Sequence, residues 1–322
     1  MQGPGIRDQG KGKMSPAIQK SAAGRQAGGR PPAAIELSPE GVLAAVRTGS
    51  KSDPGHGRVY AFVALPSGAL IPGIEEPNLR NSEIVVAAMR SALSEVTPRT
   101  HAVTLVLPDT LVRVFVLDFD SFPAKPDEAL PVVRFRLRKM VPFDVEHAGV
   151  SYQVLSQSEA ECKVLAAVIP GPILAEYESA VRAAGYEPGA VLPSSLAALD
   201  AVDSMEAVLG ANLSTNTMTT TIANGQDLLL YRTLDLPADP ADRDAEIQGS
   251  IAVAAAYYED KLGMRPRRLV YAGIQNPADF AHVISDPTLE IVEWVPRPEE
   301  GAASSLPQIS FAGVDGALAG VS

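Results

Sequence analysis

Two apolar, β-branched runs, "HAVTLVLP" and "LVRVFVLDF", stand in succession with Pro108-Asp109 at the break between them. Runs this rich in apolar, β-branched residues read as two buried strands, so the chain must have layers to pack on their sheet. Pro108-Asp109 reads as the turn that joins the two strands.

The segment that follows, "VRFRLRKMVPFD", has two periods. Val133, Phe135 and Leu137 alternate with Arg134, Arg136 and Arg138, as in a strand whose basic face lies against phosphates. Leu130, Val133, Leu137, Met140 and Val141 also share one face of a helix. Asp127 is placed to cap that helix and Glu128 suits its first turn, while Pro131 is early enough to be tolerated. The cations from Arg134 to Lys139 suit its last turns, and Pro142 ends it. A strand explains neither Leu130 nor Met140, so the spacing predicts a helix with a solvated basic side.

Charge supports that choice. The chain has 322 residues and a net charge of −11. Residues 1–32 hold Arg7, Lys11, Lys13, Lys20, Arg25 and Arg30 against Asp8, a net of +5, which leaves −16 on the remainder. A body this acidic repels nucleic acid. The first 32 residues, rich in Gly, Gln, Ser and Ala, lack the apolar content for a core and read as a disordered basic tail. The rest has room for one bilobed core or two domains. No apolar run approaches the ~20 residues of a membrane span. Cys162 is the only cysteine, so no internal disulfide forms and a reducing, cytoplasmic compartment is expected.

Ahead of the two runs, Ala34–Leu37 and Val42–Arg47 flank a turn on Ser38, Pro39 and Gly41, and "RVYAFVAL" is a third strand. Asn81 caps a helix through Val96, with Ile84, Val85, Ala88, Ala92, Leu93 and Val96 inward. Beyond the predicted helix, "GVSYQVL" and "CKVLAAVIP" are strands, and a helix runs from Pro172 to a stop at Gly185. Thr100 to Gly185 therefore reads as one compact unit. "EPGAVLPSSLAALDAV" is a short strand and helix. From Glu206 onward "EAVLGANLS", "MTTTIANG" and "QDLLLYRTLDL" are strands, with Asn224-Gly225 as a hairpin signal. Asp239-Pro240 opens the longest helix, which ends at Gly263. "RRLVYAGI", a short helix from Pro277 and "LEIVEWV" follow, and "ISFAGVDGALAG" closes as a small-residue segment.

The four histidines are scattered without metal-ligand spacing, and neither a G-x-S-x-G elbow nor a Walker A loop occurs. Asp118 and Asp120 share one side of a strand and read as its solvent end rather than as an acid–base pair. Nothing here argues for a working active site.

Taken in order, these pieces resemble the PilM family, the actin-like cytoplasmic assembly proteins of type IV pili, related in fold to the cell-division protein FtsA. The most specific match is "VTLVLPDTLVRVFVLDF…EALPVVRFRLRKMVPFD…GVSYQVL", similar to the family's inserted subdomain. "YESAVRAAGYEPGAVLPSSLAAL" resembles the return into the first lobe, and "EIQGSIAVAAAYYEDKLG", "RRLVYAGI" and "FAGVDGALAG" resemble second-lobe elements. The resemblance implies an α/β, actin-like (ribonuclease H-like) two-lobed fold. The first lobe would span 33–205, with an α+β insert at about 100–185, and the second lobe 206–322. It implies a cytoplasmic protein peripheral to the inner membrane that grips the N-terminal peptide of a PilN-like single-pass membrane protein and contacts the pilus motor ATPase. Arg113, Phe115, Pro142 and Phe143 are the residues this reading assigns to the peptide groove.

Actin-like proteins hold ATP and magnesium between the lobes, on two Asp-led, glycine-bearing hairpins and a later Gly-Gly turn. Close backbone N–H groups cradle phosphates, and the carboxylates position the metal. Here Glu36 stands for the first Asp and Ser38-Pro39 for Gly-Ser, and Pro39 removes a donor. In the second hairpin Asn212 stands for the Asp and Ser214 for the Gly, with Thr215 beside it, and Gly273 is what remains of the last pair. These departures imply lost hydrolysis and impaired nucleotide binding. An active ATPase or chaperone of the same superfamily, and a GspL-like component of type II secretion, are the alternatives.

Overall fold

The computed structural model describes residues 29–48, 57–158, 161–202, 206–225, 227–296 and 306–319. The tail expected over 1–32 lies outside them except for its last four residues. Those four are not loose, because Arg30 pairs with Asp200 at 2.6 Å and donates to the Gly316 carbonyl.

The first half runs β1 (Ala33–Leu37), β2 (Gly41–Arg47), β3 (Arg58–Ala64), α1 (Ser82–Val96), β4 (Ala102–Leu107), a 3₁₀ turn at Asp109–Leu111 and β5 (Arg113–Phe119). It continues with α2 (Pro126–Leu137), β6 (Gly149–Gln157), β7 (Cys162–Ile169), α3 (Gly171–Ala183), β8 (Glu187–Pro193) and α4 (Ser194–Leu199). The second half comprises β9 (Ala207–Leu213), β10 (Thr217–Asn224), β11 (Asp227–Asp235), α5 (Pro240–Leu262), β12 (Arg268–Gly273), α6 (Pro277–Ile284), β13 (Glu290–Glu293) and α7 (Ala312–Ala319).

These strands form two five-stranded sheets of one topology. The first has the order β3-β2-β1-β4-β8 and the second β11-β10-β9-β12-β13. In each, three antiparallel strands joined by hairpins are extended by two parallel ones. This doubled arrangement is the actin-like, two-lobed fold. Local chemistry agrees with it. Asn81 caps α1 by accepting from Ile84, Asp239 caps α5, and Gly225 and Gly263 take the left-handed conformations that their turn and helix end require. α1 turns Met89 inward, where the sequence pattern had used Ile84, which lies half exposed.

The insert is smaller than the expected 100–185. β4 lies between β1 and β8, buried along its length, so it is a central strand of the first lobe. α3 packs on α1 and β8 of that lobe. Only β5, β7 and β6, in that order, form the separate sheet, with α2 across one face. The closing small-residue segment also departs from its second-lobe assignment. As α7 it buries Val314, Ala317 and Leu318 against Ala34, Leu43, Val106 and Leu192 of the first sheet. Small side chains permit this close approach: a Cβ at Gly316 would fall 1.7 Å from the Ala197 carbonyl oxygen.

The ambiguous segment is helical, with corrected ends. Pro126 takes the first helical position behind Lys125, Asp127 sits inside the first turn rather than capping it, and α2 stops at Leu137. Ala129, Val133 and Leu137 are buried, whereas Met140, in the turn beyond, is 42% exposed. Nor is the whole basic side solvated. Arg134 crosses to the carbonyls of Val145 and Ala148 and fixes the loop before β6. No helix of the described residues is long and apolar enough to cross a membrane.

Candidate functional site

Parallel strands end with their carboxyl ends on one side of a sheet, and ligands of open α/β sheets bind there. In this chain the ends of β1, β4 and β8 in the first lobe meet those of β9 and β12 in the second around a cavity of about 140 Å³. Glu36, Ser38, Asn212, Ser214 and Gly273, the residues set apart on sequence, all line it. Thr215 does not, but its hydroxyl bonds Glu40, which does.

The centre of the site is Asp109, which the sequence offered only as half of a turn. Its carboxylate is buried and accepts from the Ser195 backbone N–H at 2.9 Å, the Ser195 hydroxyl, the Tyr231 hydroxyl at 2.7 Å and the Asn212 amide at 3.3 Å. Asn212 also donates to Ser194 Oγ and Ser195 Oγ, both at 3.1 Å. Asp109, Ser194 and Ser195 belong to the first lobe, and Asn212 and Tyr231 to the second. The network therefore bridges the lobes with protein groups alone. Desolvation pushes the Asp109 carboxyl above its ordinary value, and its hydrogen bonds hold it back. The same desolvation pushes the Tyr231 hydroxyl well up. Ser194, Ser195 and Tyr231 gave no sequence signal. Asp109 could have been found by asking which polar residue directly follows a fully buried parallel strand.

Glu36 is the second acid. Its Oε1 accepts from Ser194 Oγ at 2.6 Å, Oε2 is sealed from solvent against the first turn of α7, and the Val314 backbone N–H of that turn also bonds the carboxylate. α7 approaches so closely that a Cβ at Gly313 would lie 2.4 Å from Oε2. Desolvation raises the Glu36 carboxyl to about 7, opposed by the Ser194 bond, while the nearby Asp109 charge adds to the rise.

The loops that could meet a ligand are bonded to themselves. Across the β1–β2 turn, Ser38 and Gly41 exchange backbone bonds of 2.9 and 3.2 Å. Gly41 is required for packing, since a Cβ there would lie 2.4 Å from the Phe62 ring. At the β9–β10 turn, the Ser214 N–H bonds the Thr217 carbonyl and Ser214 Oγ receives the Thr217 N–H. Arg243 donates to the carbonyls of Ser214 and Thr215. At Gly273 a Cβ would lie 2.4 Å from the Tyr271 hydroxyl and 2.9 Å from the Leu213 carbonyl oxygen. The charged side chains of the lining are Glu36, Glu40, Asp109 and Asp235; no Arg, Lys or His is among the described residues that form it.

The four residues expected to line a peptide groove are only partly gathered. Phe115 and Phe143 both pack, half buried, on the cluster between α2 and the insert sheet. Phe143 thus turns onto the insert rather than toward the first lobe. Arg113 donates to the Thr110 carbonyl at 3.0 Å, and Pro142 is exposed. The opposite face of β5, with Val114 and Val116, packs on the first-lobe core. Asp118, at the solvent end of β5, pairs with Lys163 at 3.1 Å.

No family model matches the sequence, and no curated protein matches it. Among solved structures, the chain is similar to a chain of the PilM-PilN type IV pilus biogenesis complex. That similarity has a TM-score of 0.71 and 17% identity, and covers 90% of this chain and 98% of that one. Weaker likenesses join it to the cytoplasmic domain of EpsL, an inner membrane component of the type II secretion system of Vibrio cholerae (15% identity, 84% and 90% covered, TM-score 0.48). They also join it to a Bacteroides thetaiotaomicron protein with actin-like ATPase fold and unknown function (11% identity, 81% and 90% covered, TM-score 0.47). At such identities the first of these shows a shared fold.

Proposed function

We propose that this chain is a non-catalytic assembly component of a type IV pilus inner-membrane machine. It would bind the cytoplasmic N-terminal peptide of a PilN-like single-pass membrane protein and so lie peripheral to the inner membrane, within reach of the pilus motor ATPase. The observation that carries this reading is the likeness to the PilM-PilN complex, which spans nearly the whole of that chain. β5 supports it further, because it is an edge strand that carries half-buried Phe115, and extended peptides add to such edges using a few apolar anchors.

Magnesium nucleotide is a poor fit to the cleft. Among the described residues four carboxylates and no cation line it, an arrangement that repels a polyphosphate. Pro39 offers no N–H, and the N–H groups of Ser38, Gly41, Ser214 and Thr217 are engaged within their own turns. Asp109, the best-placed carboxylate, already accepts four hydrogen bonds. The cleft accordingly serves as a fixed joint between the lobes, and hydrolysis is lost.

Two measurements test this reading. Titration with the N-terminal peptide of the PilN-like protein should give saturable binding that Phe115→Ala or Phe143→Ala weakens several-fold, since losing an apolar anchor costs more than ~1 kcal/mol. Phosphate release from MgATP should not exceed a no-enzyme control. Absence of peptide binding removes the pilus reading, and turnover restores the ATPase alternative.

A further inference from the structure

We infer that the outward side of α2 docks on an anionic lipid bilayer, with the Phe135 ring seated among the headgroups and Arg136, Arg138 and Lys139 against their phosphates. The inference goes beyond the pilus reading, because it concerns the lipid itself and holds whether or not a partner peptide binds.

α2 lies across one face of the insert sheet, with Ala129, Val133 and Leu137 buried beneath it. Phe135 stands on the opposite side. At 64% exposure it is the most exposed large apolar side chain among the described residues. Arg138 and Lys139 come one turn later on the same side, at the end of the helix, and Arg136 flanks the ring. Met140, 42% exposed, and the exposed Pro142 continue this surface beyond the helix. An aromatic ring held in water among basic neighbours is the composition of segments that lie in a membrane interface.

The cations are available to a surface. Arg136 and Lys139 are exposed and make no ion pair within the described residues, and the exposed Arg138 pairs with Glu146. Acids near them are engaged in the same way, Glu128 with Lys125 at 3.1 Å and Asp144 with His147 at 2.6 Å. Asp127 lies at the far end of the helix, on the side of Tyr152. A local basic surface thus stands on a chain of net charge −11, and it sets the sign of what that chain can approach. The platform is fixed, because Arg134 turns away from this side and ties the helix to the carbonyls of Val145 and Ala148. An acidic protein would match the charges but would have to bring its own pocket for the ring. A bilayer yields around the ring and needs none.

The test is flotation of the full chain with vesicles of phosphatidylcholine, alone or mixed equally with phosphatidylglycerol, and with no peptide present. The expected result is partition to the anionic vesicles only, falling as salt is raised. Phe135→Ser should weaken it ~5-fold or more, and the double variant Arg136→Glu/Lys139→Glu ~10-fold or more. Both should melt with the parent, since these side chains are exposed. Every variant carries the basic residues 1–32, so their attraction cancels in the comparison. Phe135→Trp gives a second readout. The only native tryptophan, Trp294, is buried, so a blue shift of the new indole on anionic vesicles reports its insertion. Parent-like partition of Phe135→Ser or of the double variant, or an unshifted indole, overturns the inference. Tighter binding to soluble polyglutamate than to vesicles overturns it in favour of an acidic protein partner. Failure of flotation leaves the peptide reading standing, and failure of peptide binding leaves this contact standing.

Discussion

The cleft and the outer face of the insert treat polar groups in opposite ways. In the cleft, carboxylates are withdrawn from water and tied across the lobes, Asp109 to Tyr231 and Asn212 above all. On the insert, most charges stand in solvent, Arg134 apart, and the aromatic rings stay half open. Phe119 and Phe122 lie 5.1 Å apart, Phe122 and Tyr152 5.6 Å, and all three border the cluster that α2 only partly covers. A buried polar network fixes geometry, because every member is costly to leave unpaired. A half-covered aromatic rim remains available for contact. The comparison locates rigidity in the joint, and under the proposed function it is the insert that offers the surface for recognition.

The comparison breaks most sharply at Asp109. Asp109→Ala leaves the Ser195 N–H, the Tyr231 hydroxyl and the Asn212 amide without their acceptor, and losses of this kind cost about 3–5 kcal/mol. Urea unfolding should register that drop. A loss under ~1 kcal/mol would mean that the lobes are held by their apolar contact alone, through Trp294 and its neighbours.

Glu36 sharpens the same point through pH. Its folded value of about 7 lies above the ordinary 4.5, so the folded state holds a proton that the unfolded chain has released between those limits. Stability from this group is therefore greatest below pH 4.5 and falls as pH rises toward 7, by at most about 3 kcal/mol. The shift at Asp109 has the same direction. Glu36→Gln should flatten the pH dependence and leave the variant more stable than the parent at pH 8. An unchanged slope between pH 5 and 8 would show that the Glu36 carboxylate is adequately solvated.

Much of the fold was legible because its signals are local: apolar runs for β4 and β5, Asn81 and Asp239 as caps, Asn224-Gly225 for a hairpin. The cleft residues Glu36, Asn212 and Gly273 were reached through resemblance, since their strands are far apart in sequence. Asp109, Ser194, Ser195 and Tyr231 were missed for a physical reason. Asp109, Ser194 and Ser195 are ordinary polar residues at element boundaries, Tyr231 lies in the middle of β11, and their partners lie on another strand or in the other lobe. α7 was missed for another, since Gly313 and Gly316 disfavour a helix in isolation and are required only by its packing on Glu36 and Ala197.

The smallest effect concerns two phenylalanines of the segment with two periods. Phe135 and Phe143 are eight residues apart on α2 and its exit turn. A strand would have put Phe135 on the same face as Val133 and Leu137, in the core. The helix instead leaves it 64% exposed, between Arg134, which is pinned to carbonyls, and Arg136. Phe143 rests half buried on the cluster of Val133, Leu137 and Val150. Truncating a half-buried ring removes apolar contact at about 25 cal/mol per Å², so Phe143→Ala should cost about 1–2 kcal/mol in addition to its effect on peptide affinity. Phe135→Ser should stay within about 0.5 kcal/mol of the parent, as exposed substitutions do. Urea midpoints of the two variants, measured side by side, separate the two periods in solution. A larger loss at Phe135 than at Phe143 would return this segment to the strand.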